Sequence, residues 1–423
     1  MEEKKCSGIW WIYSEDNQNS NRVHGTLSIS REGNIELIID YSASDYSLEC
    51  KGNHNYTIWG VDGFGMRITL FKAHVHGYVG GRINTLMANY ALLGAHVPSL
   101  QSPIFTKAVV KYPNLREFFF VQQVTMGIGV DFTSFIVQSP KQKDIRIPVE
   151  DETTWMLSGC YRWQTNHQYT EVNITQDSEF IVENKKNKSL SFFHKQIDEF
   201  SDFLSIALQG KQSPNAICFY ASTEQGAPKF DLYYNVKQSS QCRCHLIGDS
   251  VSINRLGEII QGWHKNYEEI SPIYRYLEKS SFEQNGIGGS PEFLLVEFAL
   301  EGYFKRFHNK AKTKGVDVQK CKDELNELLN YYADIELIKT LNINVNAVVA
   351  TRDTYAHLRP KADQKDNEIK DAHTLWVVTE KLRILLLCCL LDNMGFTRQE
   401  IDANFKQAPM WNPEIYQNEF LFE

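Results

Sequence analysis

The feature that most limits the fold is a change of hydrophobic period part-way along the chain. Up to about residue 185 the apolar residues tend to alternate. The segments "HGTLSIS" (24–30), "GNIELIIDY" (33–41), "YTIWGV" (56–61), "MRITLFKAHV" (66–75) and "TSFIVQS" (133–139) are short and rich in β-branched and aromatic residues. Gly, Asn, Ser or Asp bound them. Alternation of this kind puts one face of a strand in a core and the other in water. From residue 186 onward apolar residues recur every three to four positions, the period of a helix with one buried side. Two such periods cannot share one regular layer. The chain is therefore read as α+β with two domains. Residues 1–185 form an antiparallel β-sandwich or barrel-like domain, and residues 186–423 form an α-helical bundle. The polar stretch "VENKKNKSL" (182–190) is the expected linker.

Within the second half, "SLSFFHKQIDEFSDFLSIALQG" (189–210) places Phe193, Ile197, Phe200 and Leu204 on one face, with Gly210 as its stop. "AICFYAS" (216–222) and "KFDLYYNV" (229–236) read as a small β insertion near 215–245. "INRLGEIIQGWHKNYEEISPIYRYLEK" (253–279) is one or two helices, interrupted near Pro272. Ser290 can cap the next helix and Pro291 suits its first position. That helix stacks Leu294, Phe298 and Phe304 along an expected buried side. "VQKCKDELNELLNYYADIELIKTL" (318–341) reads as one helix, and "NVNAVVATRDTYAHL" (344–358) as another that stops before Pro360. The last begins at a cap, Asp366, and ends at Gly395.

Net charge is −8 over 423 residues, which argues against a general nucleic-acid coat but leaves room for a local basic patch. The longest apolar run, "ILLLCCLL" (384–391), is far short of the roughly 20 residues that cross a bilayer. The start, "MEEKKCSGIWW", carries no secretory pattern, so the expected setting is the cytoplasm. Nine scattered cysteines then read as free thiols, with Cys388 and Cys389 acting as small hydrophobes.

An arginine followed at short spacing by a histidine occurs three times: Arg67 with His74, Arg162 with His167, and Arg352 with His357. The first two fall among strands. The third lies on a helical segment and carries the polar Asp353 beside the arginine. Five residues on a regular helix turn through about 140° and advance about 7.5 Å, so Arg352 and His357 do not stack on one face. They border one cleft only if the helix end is distorted or a second chain completes the site. Histidine can move a proton near neutrality, and arginine offers a charged fork to phosphate oxygens. Together they suit attack of an RNA 2′-OH on its own phosphate without a metal. Nearby, Lys305, Arg306, Lys310, Lys312 and Lys314, interleaved with Phe307 and His308, could follow a phosphate backbone or simply form a solvated helix end.

Other candidates are thinner. Cys242, Cys244 and His245 could ligate zinc, but no second ligand pair of the usual spacing follows. His74 and His76 share a strand face and would need a third ligand. "NGIGG" (285–289) lacks the Lys-Ser/Thr ending of a phosphate loop. No cofactor or resident metal is expected.

The segment "TRDTYAH" (351–357) resembles the Arg-x(4–6)-His motif of HEPN ribonucleases. "FLLVEFALEGYFKRF" and "LRILLLCCLLDNMG" are similar to the helices flanking that motif in the ApeA-type branch. "GIWWI", "HGTLSIS", "GNIELII" and "KYPNLREFF" resemble the β-rich domain that precedes it. The resemblance implies a metal-independent endoribonuclease of bacterial anti-phage defence. It would act by abortive infection through cleavage of cellular RNA such as tRNA. It also implies a homodimer that brings two Arg–His motifs to one cleft. Carried over, Arg352 stabilises the phosphate, His357 transfers the proton, Asp353 orients either one, and Glu301 is a supporting acidic residue. The β-rich domain would meet a phage-derived trigger or restrain the nuclease. Two alternatives stand beside it. One is a non-catalytic HEPN-like module that binds a partner protein or nucleotide. The other is a small-molecule enzyme using His74 and His76.

Overall fold

The structure is a computed structural model. It describes residues 3–15, 21–43, 48, 55–119, 125–128, 135–138, 144–150, 152–165, 172–222, 224, 226–235, 239–240, 242, 245–247, 253–282, 289–308, 321–360 and 366–408. The chain divides into two compact units, residues 1–201 with 213–239, and residues 202–212 with 240–423.

In the first unit the alternating segments become strands β1 (Lys4–Ile12), β2 (Val23–Ile29), β3 (Ile35–Asp40), β4 (Tyr56–Asp62), β5 (Arg67–Val79) and β6 (Arg82–Ala88). The order β5-β4-β1-β2-β3-β6 closes through a second pairing of β6 with β5, which makes a barrel. Closure leaves no free edge within the ring. Its interior is apolar, with Trp10, Leu27, Leu37, Ile58, Leu70 and Leu86 all buried. The Trp10 indole donates to the Gly25 carbonyl at 3.1 Å. It also lies so close to Gly60 that a Cβ there would meet Cε3 at 2.2 Å. Position 60 therefore needs glycine.

The sheet continues out of the barrel. Further elements are β7 (Tyr90–Leu93), β8 (Phe105–Lys111), the short helix α1 (Leu115–Phe118), β9 (Thr125–Ile128), β10 (Phe135–Gln138), β11 (Ile145–Glu150), β12 (Thr153–Thr165), β13 (Val172–Lys188), helix α2 (Leu190–Ala207), β14 (Ala216–Tyr220) and β15 (Lys229–Tyr234). From β5 the strand order runs β7-β15-β14-β8-β13-β12-β11, and β9 and β10 pair as a separate two-stranded sheet. Phe193, Ile197 and Phe200 of α2 are fully buried, as their spacing predicts. Phe200 stacks on Phe180 of β13 with ring centroids 3.8 Å apart. Gln196 accepts from the Trp155 indole at 2.7 Å.

Two expectations change here. The hairpin β14–β15 is not an insertion in the helical half. It pairs with β8 on one side and β7 on the other, filling a gap that would leave two strand edges unpaired. The stretch 182–190 is not a linker either. Most of it is the end of β13, where Val182 is fully buried and the Asn184 amide donates to Thr153 at 2.7 Å.

The second unit is helical: α3 (Ile253–Leu277), α4 (Gly289–Phe307), α5 (Cys321–Tyr331), α6 (Glu336–Thr340), α7 (Val345–Ala356), α8 (Ala372–Asn393) and α9 (Arg398–Gln407). Helix α8 is its centre, with every residue from 381 to 391 buried, Cys388 and Cys389 included. A helix apolar on all sides belongs inside a bundle. No helix among the described residues is long and apolar enough to cross a membrane. Gly262 of α3 lets the chain after α8 approach closely, since a Cβ there would meet the Met394 carbonyl oxygen at 2.4 Å.

The termini of these helices refine the sequence reading. Helix α3 runs unbroken through Pro272, which sits on its exposed side while Ile270, Ile273 and Tyr274 are buried. The segment 318–341 contains two helices, α5 and α6. Helix α8 is capped by Asp371, which accepts from the Thr374 amide at 2.6 Å, and not by Asp366. Residues 368–369 are committed elsewhere: Thr354 donates to Glu368 at 3.1 Å, and the Ile369 amide donates to Thr351 at 2.9 Å. Gly395 does end the helix, with φ +90°.

Candidate active site

Helix α7 carries the Arg–His motif. It starts at Asn344, whose side chain accepts from the Ala347 amide at 3.1 Å. It ends by leaving helical geometry at His357, which has φ −105° and ψ 4°. Leu358 then adopts φ +49°, and the Arg359 amide donates back to the Thr354 carbonyl at 3.0 Å. This is a left-handed helix stop of the type that glycine usually fills. Here a leucine that is 88% exposed takes the strain. The helix therefore stops ahead of Pro360, and His357 at its end is exposed.

Arg352 lies against α4. Its Nη2 lies 3.3 Å from Glu301, its Nε 3.6 Å from Glu297, and its Nη1 3.5 Å from Asp353. The guanidinium also lies over the Phe298 ring, 5.8 Å from its centroid. Asp353 is shared with Arg359 at 3.8 Å. Three carboxylates thus surround one cation, and they raise the Arg352 pKa above its ordinary value although burial works against this.

The acidic side of this cluster is unusual. Glu297 is 3% exposed, and burial raises its pKa. One of its oxygens accepts from the Cys321 thiol at 2.9 Å. Its other oxygen and the facing Arg352 Nε make no hydrogen bond, so this ion pair is slack. Burial works to raise Glu301 as well, but hydrogen bonding to Lys305 and the charges of Lys305 and Arg352 prevail and hold it low. Glu324 on α5 is pushed up to about 7, first by burial and then by the neighbouring charges of Glu301 and Glu297.

A cleft of about 450 Å³ opens beside Arg352. Pro272, Ile273 and Tyr276 of α3 form one wall. Phe298, Glu301, Gly302, Lys305 and Arg306 of α4 form the other, with Arg352. His357 is not among its walls. Within one chain, Arg352, Asp353 and Glu301 are brought together, while His357 is exposed at the helix end and does not line the cleft.

Of the basic patch, Lys305 pairs with Glu301, and Arg306 lies 3.5 Å from Glu269. Lys310, Lys312 and Lys314 lie outside the described residues. Phe307 and His308 do not stand free for a base. Phe307 packs on Tyr303 at 4.9 Å, and His308 meets Tyr331 edge-on at 4.7 Å. His74 and His76 are both exposed on β5, and no third ligating side chain joins them among the described residues. Cys244, like His167, lies outside the described residues.

Comparison with known families completes the picture. The model of ApeA N-terminal domain 1 matches residues 5–249, more than half of the chain, and that of the Apea-like HEPN domain matches residues 259–400. The chain belongs to the ApeA family. No curated protein and no solved structure matches it.

In this ApeA-family chain the whole cluster around Arg352 falls inside the HEPN match. Sequence reasoning found Arg352, Asp353, His357 and Glu301 but missed Glu297, Cys321 and Glu324. One signal was available: Glu297 and Glu301 are four apart on an otherwise apolar helix, and so share a face. The expected buried side of α4 was also misplaced. Phe304 is buried as expected, but Leu294 and Phe298 are only half-buried, and the other buried residues are Phe293, Val296, Glu297, Ala299, Leu300 and Tyr303. The helix is rotated so that Glu297 meets Arg352 and Phe298 lines the cleft.

Proposed function

We propose that this ApeA-family protein is a metal-independent endoribonuclease of bacterial anti-phage defence that halts an infected cell by cutting its RNA. The observation that carries the reading lies inside the HEPN match. A permanently charged fork sits in the wall of a cleft, and an exposed imidazole ends the same helix. His357 takes the proton from a ribose 2′-OH, and the alkoxide attacks the adjacent phosphorus. Arg352 holds the phosphoryl oxygens as charge builds. The bond to the 5′ oxygen breaks, that oxygen gains a proton, and a 2′,3′-cyclic phosphate remains. Because His357 does not line the cleft of its own Arg352, two chains pairing through their bundles would supply a site from both. Asp353 orients Arg352, and Glu301 anchors it. The β-rich unit would receive the trigger.

The test compares wild type with His357→Ala in growing cells. Wild type should arrest growth and leave RNA fragments ending in 2′,3′-cyclic phosphate, and the variant should do neither. Equal behaviour of the two after triggering would sink the nuclease reading.

One observation favours a second reading. Glu297, Glu301 and Asp353 already offset the charge of Arg352. A non-catalytic HEPN module that binds a partner protein or nucleotide would tolerate this arrangement. It predicts intact RNA from both proteins.

A further inference from the structure

We propose that the cleft between α3 and α4 is a nucleotide subsite, in which Tyr276 stacks on a base of single-stranded RNA next to the phosphate held by Arg352. The inference deepens the nuclease reading and rests on it.

The cleft has two chemically distinct sides. Lys305, Arg306 and Arg352, with the Glu301 carboxylate that pairs with two of them, give it a charged rim of net positive sign, and Pro272, Ile273, Tyr276 and Phe298 give it an apolar, partly aromatic wall. A nucleotide has the same division, with an anionic phosphate at one end and a flat base at the other. The volume of about 450 Å³ is enough for a single nucleotide and its first hydration. Tyr276 is 41% exposed, although its neighbours Tyr274 and Leu277 on the same helix are fully buried. An exposed aromatic ring in a concave wall is the feature that single-strand binders use to stack bases without regard to sequence.

Two further features keep the space open and the rim receptive. Gly302 lies on the α4 side, and a Cβ there would meet only Ile273 Cγ1, at 3.8 Å. Any larger side chain at 302 would grow into the cleft. The Nε atoms of Arg306 and Arg352 are both buried without a hydrogen bond, so their carboxylate partners do not fully satisfy either guanidinium. An incoming phosphate could re-aim both forks.

Stacking needs bases that are not paired, so the substrate class is a loop or a single strand and not a duplex. The test uses full-length protein and single-stranded 2′-O-methyl homopolymers of each base, which cannot undergo 2′-OH attack. Binding is read by fluorescence anisotropy. Tyr276→Ala should weaken binding by about five- to a hundredfold, from the usual worth of one base stack. Tyr276→Phe should restore it, because the ring and not the hydroxyl does the stacking. Gly302→Leu should weaken it similarly by filling the cleft. On cleavable RNA the loss in Tyr276→Ala should fall on KM.

Wild-type binding that Tyr276→Ala leaves unchanged overturns the subsite, as does a wild-type protein that binds none of the probes. The two readings can fail separately. If cleavage depends on His357 but binding ignores Tyr276 and Gly302, the subsite falls alone. If binding depends on Tyr276 but wild type never cuts RNA, the subsite stands and the nuclease reading falls.

Discussion

The barrel of the first unit and the helical bundle of the second bury different things. The barrel is filled by Trp10, Leu27, Leu37, Ile58, Leu70 and Leu86, with no carboxylate, lysine, arginine or histidine among its core cluster. The bundle buries Glu297, Glu324, Glu368, Glu380, Lys381 and Arg383 among its apolar residues. Arg383, 6% exposed, is held by Glu292 and Glu380. Burying charge is unfavourable unless the charges are paired, and paired charges seldom add net stability. The barrel is therefore organised for stability, whereas the bundle gives some of it up to hold charged groups in place. The Arg352 cluster belongs to that second kind of interior.

The comparison can be broken most directly at Arg383. Arg383→Met should leave Glu380 buried and unpaired and destabilise the bundle by about 3–5 kcal/mol in urea unfolding. A loss below about 1 kcal/mol would mean that the buried charges are better solvated than this account holds. In the barrel, Leu37→Ala should cost about 3 kcal/mol through the cavity it leaves. That loss should be the same in acid and at neutrality, since the barrel's core cluster holds no carboxylate or histidine that would change charge between the two.

Glu324 sharpens the contrast through pH. Its folded pKa is pushed up to about 7 from an ordinary 4.5, so the fold binds a proton that the unfolded chain has released. The associated stability is fully present below pH 4.5 and is lost as pH rises through 7. Glu324→Gln should remove this slope from a series of thermal melts, and an unaltered slope would assign it to another group. A smaller effect is expected at Leu358, where the left-handed backbone is strained. Leu358→Gly should stabilise the bundle by about 1 kcal/mol, seen as a raised melting temperature. The smallest effect on stability belongs to Lys305→Met, within about 0.5 kcal/mol, because the lysine is exposed. In RNA binding the same change should reduce the slope of log affinity against log salt by about 1. An unchanged slope would place the backbone path elsewhere.

Much of this was legible in the chain itself. The alternation in "GNIELIIDY" and "MRITLFKAHV" gave β3 and β5, and the spacing of Phe193, Ile197, Phe200 and Leu204 gave α2 with all four residues buried. Gly395 marked the end of α8, because glycine takes the positive φ of such a stop without strain. The motif on α7 was also visible, together with the warning that its two residues diverge. What failed were readings that needed a partner. "VENKKNKSL" is polar enough for a linker, yet its Val182 pairs with both β12 and β8 and its Asn184 with β12. The buried side of α4 was read from Leu294 and Phe298, but the apolar residues of "FLLVEFALEGYF" surround the helix and do not fix its rotation.

By itself, then, the sequence determined where the backbone alternates, where it coils and which side chains could move a proton or hold a phosphate, because these follow from local period and residue chemistry. Only the tertiary structure decided that β14 and β15 complete the sheet of the first unit, that Glu297 is buried against Arg352, and that Phe298 and Tyr276 face a cleft. Those outcomes depend on contacts between residues tens to hundreds of positions apart. Such contacts are fixed by how whole faces pack and by which edges and charges would otherwise go unpaired.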